Sequence, residues 1–81
     1  MIVQVQLFAV ARQLAGASTV RLELSAEATL TDVRAQLATQ YPNLASILSH
    51  AKFAVDNEYA DDQTQVGSNS EVACIPPVSG G

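Results

Sequence analysis

The chain lacks most of what chemistry usually needs. It has one cysteine, Cys74, and one histidine, His50. A single cysteine excludes an internal disulfide framework and fits a reducing compartment, the cytoplasm. A lone histidine without a histidine or cysteine partner cannot supply three or four metal ligands, so His50 reads as a surface or turn residue. Tryptophan is missing and aromatics are limited to Phe8, Phe53, Tyr41 and Tyr59, so aliphatic side chains and alanine must fill the core. Positive charge is scarce: Arg12, Arg21, Arg34 and Lys52 stand scattered against eight acids, a net charge of −4. That excludes nucleic acid and anionic membranes as partners and favours a basic protein. No stretch approaches the roughly 18 apolar residues of a membrane span. The start, Met1-Ile2-Val3-Gln4, has neither the basic region nor the apolar run of a signal peptide.

What is present points to a single ordered domain. At 81 residues, 48% of them hydrophobic, the chain can build one thin core and no deep cavity. Catalytic patterns are absent. Gly67 has no phosphate-loop spacing around it. Asp61-Asp62 has no partner pattern and reads as a solvated loop. Cys74 alternates with Ala73 and Ile75, which sets it with Val72 on a core face as a small hydrophobe.

Strand and helix periods alternate along the chain. Ile2 to Phe8 is a β-branched alternation with Val3, Val5 and Leu7 on the core side. Ala9 to Ala15 predicts about two turns of helix stopped by Gly16. Ser18 to Leu24 predicts a second strand, antiparallel to the first, with Val20, Leu22 and Leu24 inward. Thr29 followed by Asp32 predicts a capped helix start. Leu30, Val33, Leu37 and Tyr41 form its apolar stripe, with Arg34 and Gln36 on the wet side, and Pro42 ends it. A short helical turn follows, anchored by Leu44, Ile47 and Leu48. Phe53-Ala54-Val55 and Glu58-Tyr59-Ala60 read as short strands joined at Asp56-Asn57. Val66 pins the next loop, and Glu71 to Ile75 is the last strand. The order predicts an α+β fold: one main helix across a mixed sheet of four or five strands, with the last strand beside the first in the centre.

The chain ends Pro76-Pro77-Val78-Ser79-Gly80-Gly81. Two prolines cannot donate to a sheet ladder and favour a stiff, extended exit. Two glycines then leave a bare backbone and a free α-carboxylate that can be approached from either face. A stiff stem with a small carboxyl tip has the shape of an arm to be inserted into another protein. By strand parity Phe8 and Ile75 fall on the face opposite the core. If the first and last strands are neighbours, the two residues meet near the exit of the tail, with Ala73 and Tyr59 close by. An apolar group there is a candidate protein interface.

The ending from Glu71 to Gly81 resembles that of the small, sulfur-carrying subunit of molybdopterin synthase. So do the stretch Val5 to Gly16, through Leu7-Phe8-Ala9 and Arg12-Gln13-Leu14, and the stretch Phe53 to Tyr59. The resemblance implies a ubiquitin-like β-grasp domain over residues 1–76 and an extended Gly-Gly tail over 77–81. It implies that an ATP-using activating enzyme adenylates Gly81, that sulfur transfer makes a thiocarboxylate, and that the tail delivers sulfur to cyclic pyranopterin monophosphate inside the large subunit. Gly80 would give clearance in a narrow channel. Phe8, Tyr59, Ile75, Pro76, Pro77, Val78 and Ser79 would meet the partner. The chain would be the sulfur-donating subunit of a transferase, with no catalytic set, bound cofactor or metal of its own, in a heterotetramer of two small and two large subunits. Cys74 and Ile75 stand where relatives can carry bulkier aromatics, which implies a partner surface fitted to a smaller patch. Two alternatives stay open: a carrier for thiamin thiazole or tRNA thiolation, and a ubiquitin-like modifier or interaction module. The Pro76-Pro77 stem and the Phe53 to Tyr59 stretch favour the molybdopterin member.

Overall fold

The computed structural model describes residues 1–77. Five strands, β1 (Ile2–Leu7), β2 (Thr19–Glu23), β3 (Lys52–Val55), β4 (Glu58–Ala60) and β5 (Val72–Ile75), form one sheet in the order β2-β1-β5-β3-β4. β1 and β5 are parallel and central; every other pair is antiparallel. The helices are α1 (Ala9–Ala15), α2 (Leu30–Gln40) and α3 (Ala45–Leu48), the last entered through a 3-10 turn at Pro42–Leu44. This is the expected α+β architecture, and it is a ubiquitin-like β-grasp.

Local chemistry sets most element ends. β1 alternates strictly, with Val3, Val5 and Leu7 buried. α1 stops where Gly16 takes φ 73 and returns its N–H to the Arg12 carbonyl, a left-handed cap that glycine adopts without a Cβ penalty. α2 starts on a capping box: Asp32 Oδ2 accepts the Thr29 N–H at 2.9 Å, and the Thr29 side chain accepts the Asp32 N–H. Asp56 and Asn57 both take positive φ, 52 and 70, as a tight hairpin between β3 and β4 requires. Leu30, Val33 and Leu37 of α2 are fully buried against the sheet. Val66 is buried too, and its N–H bonds the Ala28 carbonyl, which closes the long loop over the start of α2.

Three expectations change. β1 ends at Leu7, and Phe8 is the N-cap of α1 rather than a strand residue. Leu24 lies beyond β2 and is only half-buried, its N–H bonded to the Met1 carbonyl. Arg34 is half-buried rather than solvated. Its guanidinium donates to the carbonyls of Leu48 and Ala51, pairs with Asp62 at 2.8 Å, and lies 4.8 Å from the centroid of Phe53. Helical period places Arg34 one step from Val33 on the edge of the buried stripe, and its long stem lets it reach carbonyls that α3 and β3 leave without strand or helix partners. It ties α2 to the entry of β3.

Candidate functional site

β5 is a central strand, so the chain leaves the sheet from its middle. Pro76 is buried and Pro77 is exposed. Val78, Ser79, Gly80 and Gly81 lie outside the described residues. The surroundings of the exit are fixed by sheet register. Leu7 lies beside Cys74, so the next residues along the parallel pair, Phe8 and Ile75, are neighbours on the outer face. The Phe8 N–H reaches the Cys74 carbonyl at 3.3 Å. Tyr59 lies on the same face but on the edge strand, separated from β1 by Ala54 and Ala73, which stand opposite it in successive strands. Two alanines make a shallow floor between the aromatic rings. Parity therefore brings Phe8 and Ile75 together and leaves Tyr59 two strands from Ile75.

Phe8 breaks local rules where it stands. An N-cap normally carries Ser, Thr, Asp or Asn, whose oxygen accepts a free helical N–H. Phe8 offers no side-chain cap, and the residue is 44% exposed. Ala9 then takes φ 51, a left-handed value that costs a residue with a Cβ about 1–2 kcal/mol. Two adjacent residues that work against stability stand beside the end of β5, which makes Phe8 a candidate interface residue.

Sequence reading missed Lys52 and Arg12. Lys52 begins β3 opposite Ile75, and its Nζ lies 5.7 Å from the Tyr59 ring centroid. Arg12 shares a hollow with Gln6, Phe8 and Thr19. The signal for Lys52 was available, because it has the same strand parity as Ala54. That for Arg12 was not, because it depends on how α1 folds back along β1.

Other reactive groups stand apart from this face. Asp61 accepts the Gln63 N–H within its own loop, and Asp62 holds Arg34. His50 is exposed in a turn. Among the described residues no group of His, Cys, Asp and Glu could hold a metal ion, and no helix is long and apolar enough to cross a membrane. Cys74 is fully buried, and burial pushes its thiol from the ordinary 9.0 up to about 11, against a smaller opposing pull from Arg34. The protonated thiol is the form the core accepts. Its contribution to stability is therefore complete below pH 9.0 and falls as pH rises from there through about 11. Iodoacetamide at pH 8 is expected to leave the folded chain unmodified and to alkylate it in urea, read by intact mass; rapid alkylation of the folded protein would show that the thiol is open.

A five-stranded β-grasp sheet with exposed Phe8 and Tyr59 on the face where its central last strand ends has the architecture of the ubiquitin-like proteins. The comparisons narrow this. The profile of the ThiS family matches residues 5–81. The chain is 36% identical over 81 residues to the molybdopterin synthase sulfur carrier subunit of Chlamydomonas reinhardtii, covering 98% of each. Among solved structures, SAMP1, small archaeal modifier protein 1, of Haloferax volcanii matches with a TM-score of 0.87 at 28% identity over the whole of both chains. The complex of subunits 1 and 2 of the molybdopterin-converting factor from Helicobacter pylori includes a chain that matches at a TM-score of 0.71 and 21% identity, again over the whole of both, which bears on fold alone. The chain belongs to the ThiS family.

Proposed function

We infer that this chain is the sulfur-carrier subunit of a molybdopterin synthase. The observation that carries the reading is the end-to-end match to curated carrier subunits, 98% of each chain in the Chlamydomonas case. The exit of β5 from the centre of the sheet, beside an exposed Phe8, is the geometry such a carrier needs.

In this reading the chemistry takes place at the carboxylate of Gly81. A carboxylate is a poor electrophile. On the activating enzyme one of its oxygens attacks the α-phosphorus of ATP and pyrophosphate leaves, giving an acyl adenylate. A sulfur nucleophile then attacks the acyl carbon and AMP leaves. Once the sulfur is released from its donor, Gly81 carries a thiocarboxylate. Inside the large subunit that sulfur passes to cyclic pyranopterin monophosphate on the way to the molybdopterin dithiolene. The carrier supplies no acid or base and binds no cofactor; ATP belongs to the activating enzyme. Two small and two large subunits form the working assembly, in the cytoplasm.

The test is reconstitution with a molybdopterin synthase large subunit, using thiocarboxylated and plain protein and assaying pterin conversion. Conversion is expected with the thiocarboxylate alone. Equal conversion with plain protein, or none with either, overturns the reading.

Phe8 gives a sharper check. Phe8→Ser removes the exposed ring and installs a proper N-cap. The expected result is a gain in folding stability of about 0.5–1 kcal/mol. Affinity for the large subunit should fall about 30-fold, the equivalent of about 2 kcal/mol for a lost aromatic anchor. Unchanged affinity by calorimetry would remove Phe8 from the interface.

A second reading has its own support, the 28% identity to an archaeal modifier protein. A modifier would join Gly81 to lysines of other proteins. Mass spectrometry separates the two: a thiocarboxylate adds about 16 Da to the intact chain, whereas a modifier leaves its C-terminal glycine on lysine.

A further inference from the structure

Charge is sorted along the sheet. At the end where β5 delivers the chain to Pro76, β1 also ends and β3 begins. Lys52 stands there beside Ile75, and Arg12 stands by Phe8 on the other flank. Read across this end, the order is Arg12, Phe8, Ile75, Lys52. Neither cation forms an ion pair among the described residues, where the pairs are Met1 with Glu23 and Arg34 with Asp62. Asp61 lines the same hollow as Lys52 and leaves one negative charge against the two cations at this end, its Oδ1 accepting from the Gln63 N–H and the Thr64 hydroxyl. The opposite end of the sheet holds Glu23, Asp56, Glu58 and Glu71, with only the Met1 ammonium among them, bonded to the Leu24 carbonyl. Arg21 lies between, opposite Gln4.

The geometry points to Arg12 and Lys52 as a cationic rim that steers the carrier onto acidic residues of the large synthase subunit, on either side of the opening that takes the tail. The assignment rests on the function inferred above and adds the charge of the partner surface. The net charge of −4 argues for a basic partner, but distance decides against it. The acidic end lies about 10–17 Å from the rim, from three to five strand residues at about 3.3 Å each, and the Debye length is about 8 Å at physiological salt. A partner surface docking at the tail end meets the two cations first, and the far acids are screened. The Tyr59 ring beneath Lys52 holds the ammonium near the contact plane, so little freedom remains to be lost on binding.

The experiment measures the association rate of the full chain with the large subunit at low and high salt. For the wild-type chain the rate should fall as salt rises. The double variant Arg12→Gln, Lys52→Gln should associate about tenfold more slowly at low salt and lose most of that salt dependence, because rim charges act mainly on the encounter rate. Asp56→Asn with Glu58→Gln, at the far end, should stay within about twofold of wild type, since those charges lie beyond the screening length. Arg12→Lys should keep the wild-type rate, which separates charge from packing; melting curves confirm that each variant is folded. A basic partner surface predicts the opposite sign, a faster double variant. A faster or unchanged double variant overturns the rim. Failure of the wild-type chain to bind the large subunit overturns the functional reading and the rim with it.

Discussion

A chain lengthened by one residue after Gly81 will transfer no measurable sulfur to the pterin, while its melting curve stays that of the wild type. One residue moves the terminal carboxyl by up to about 3.3–3.6 Å. Reacting atoms must approach to about 3–3.5 Å, and an error of 1 Å can cost about 100-fold, so a displacement of this size is expected to lower transfer beyond detection. The added residue also carries a side chain into a channel that two glycines would otherwise pass through with bare backbone. Stability is unaffected because the buried core residues lie between Val3 and Cys74, and the addition comes after all of them. Pterin conversion with the extended chain, after exposure to the activating enzyme, is the measurement. Undiminished transfer would refute a reaction at the end of the chain. Gly81→Ala is the milder version: impaired activation or insertion with an intact far-ultraviolet spectrum.

Phe53→Ala will destabilise the domain by about 3–5 kcal/mol, the usual cost of deleting a buried phenylalanine ring. Phe53 is 1% exposed and sits in β3 opposite Cys74 of β5 and Ala60 of β4. The ring also lies under the Arg34 guanidinium, which spans from α2 to the carbonyls of Leu48 and Ala51. Its loss therefore opens a cavity and removes the surface against which that arginine is ordered. A domain of this length has about 4–12 kcal/mol in total, so most of its margin is at stake. At about 4–8 °C per kcal/mol the midpoint should fall by at least about 12 °C. A thermal melt followed by circular dichroism checks it, and a drop below about 5 °C would mean that the neighbouring side chains close the space. Phe53→Leu, which keeps most of the volume, should recover much of the loss.

Local pattern carried far along this chain. The alternation in β1, the Gly16 stop, the Thr29–Asp32 box and the Asp56-Asn57 turn each depend on residues within a few positions of one another, and each is where the sequence places it. Arg34 shows where this fails. Its helical position marks it as solvated, but its partners are carbonyls at Leu48 and Ala51 and a carboxylate at Asp62, distant in sequence and brought near by the packing of α3 and β3 against α2. The bases failed for the same reason. Arg12 and Lys52 look scattered on the line of the chain, and the fold places them at the same end of the sheet, on either flank of Phe8 and Ile75.

The sequence by itself determined the periods, the caps, the core faces and the ending in two prolines and two glycines. It also placed Phe8 and Ile75 off the core face, because strand parity is a property of a single segment. Only the tertiary structure decided which strands are neighbours. The pairing of Val5 with Val72 closes nearly the whole chain, and it is selected by sheet and helix burying one another's apolar faces, a condition that no window of sequence contains. From that pairing follow the exit of the chain at Pro76 from the middle of the sheet, the placing of Phe8 beside Ile75, and the positions of Arg12 and Lys52 on either flank of that pair.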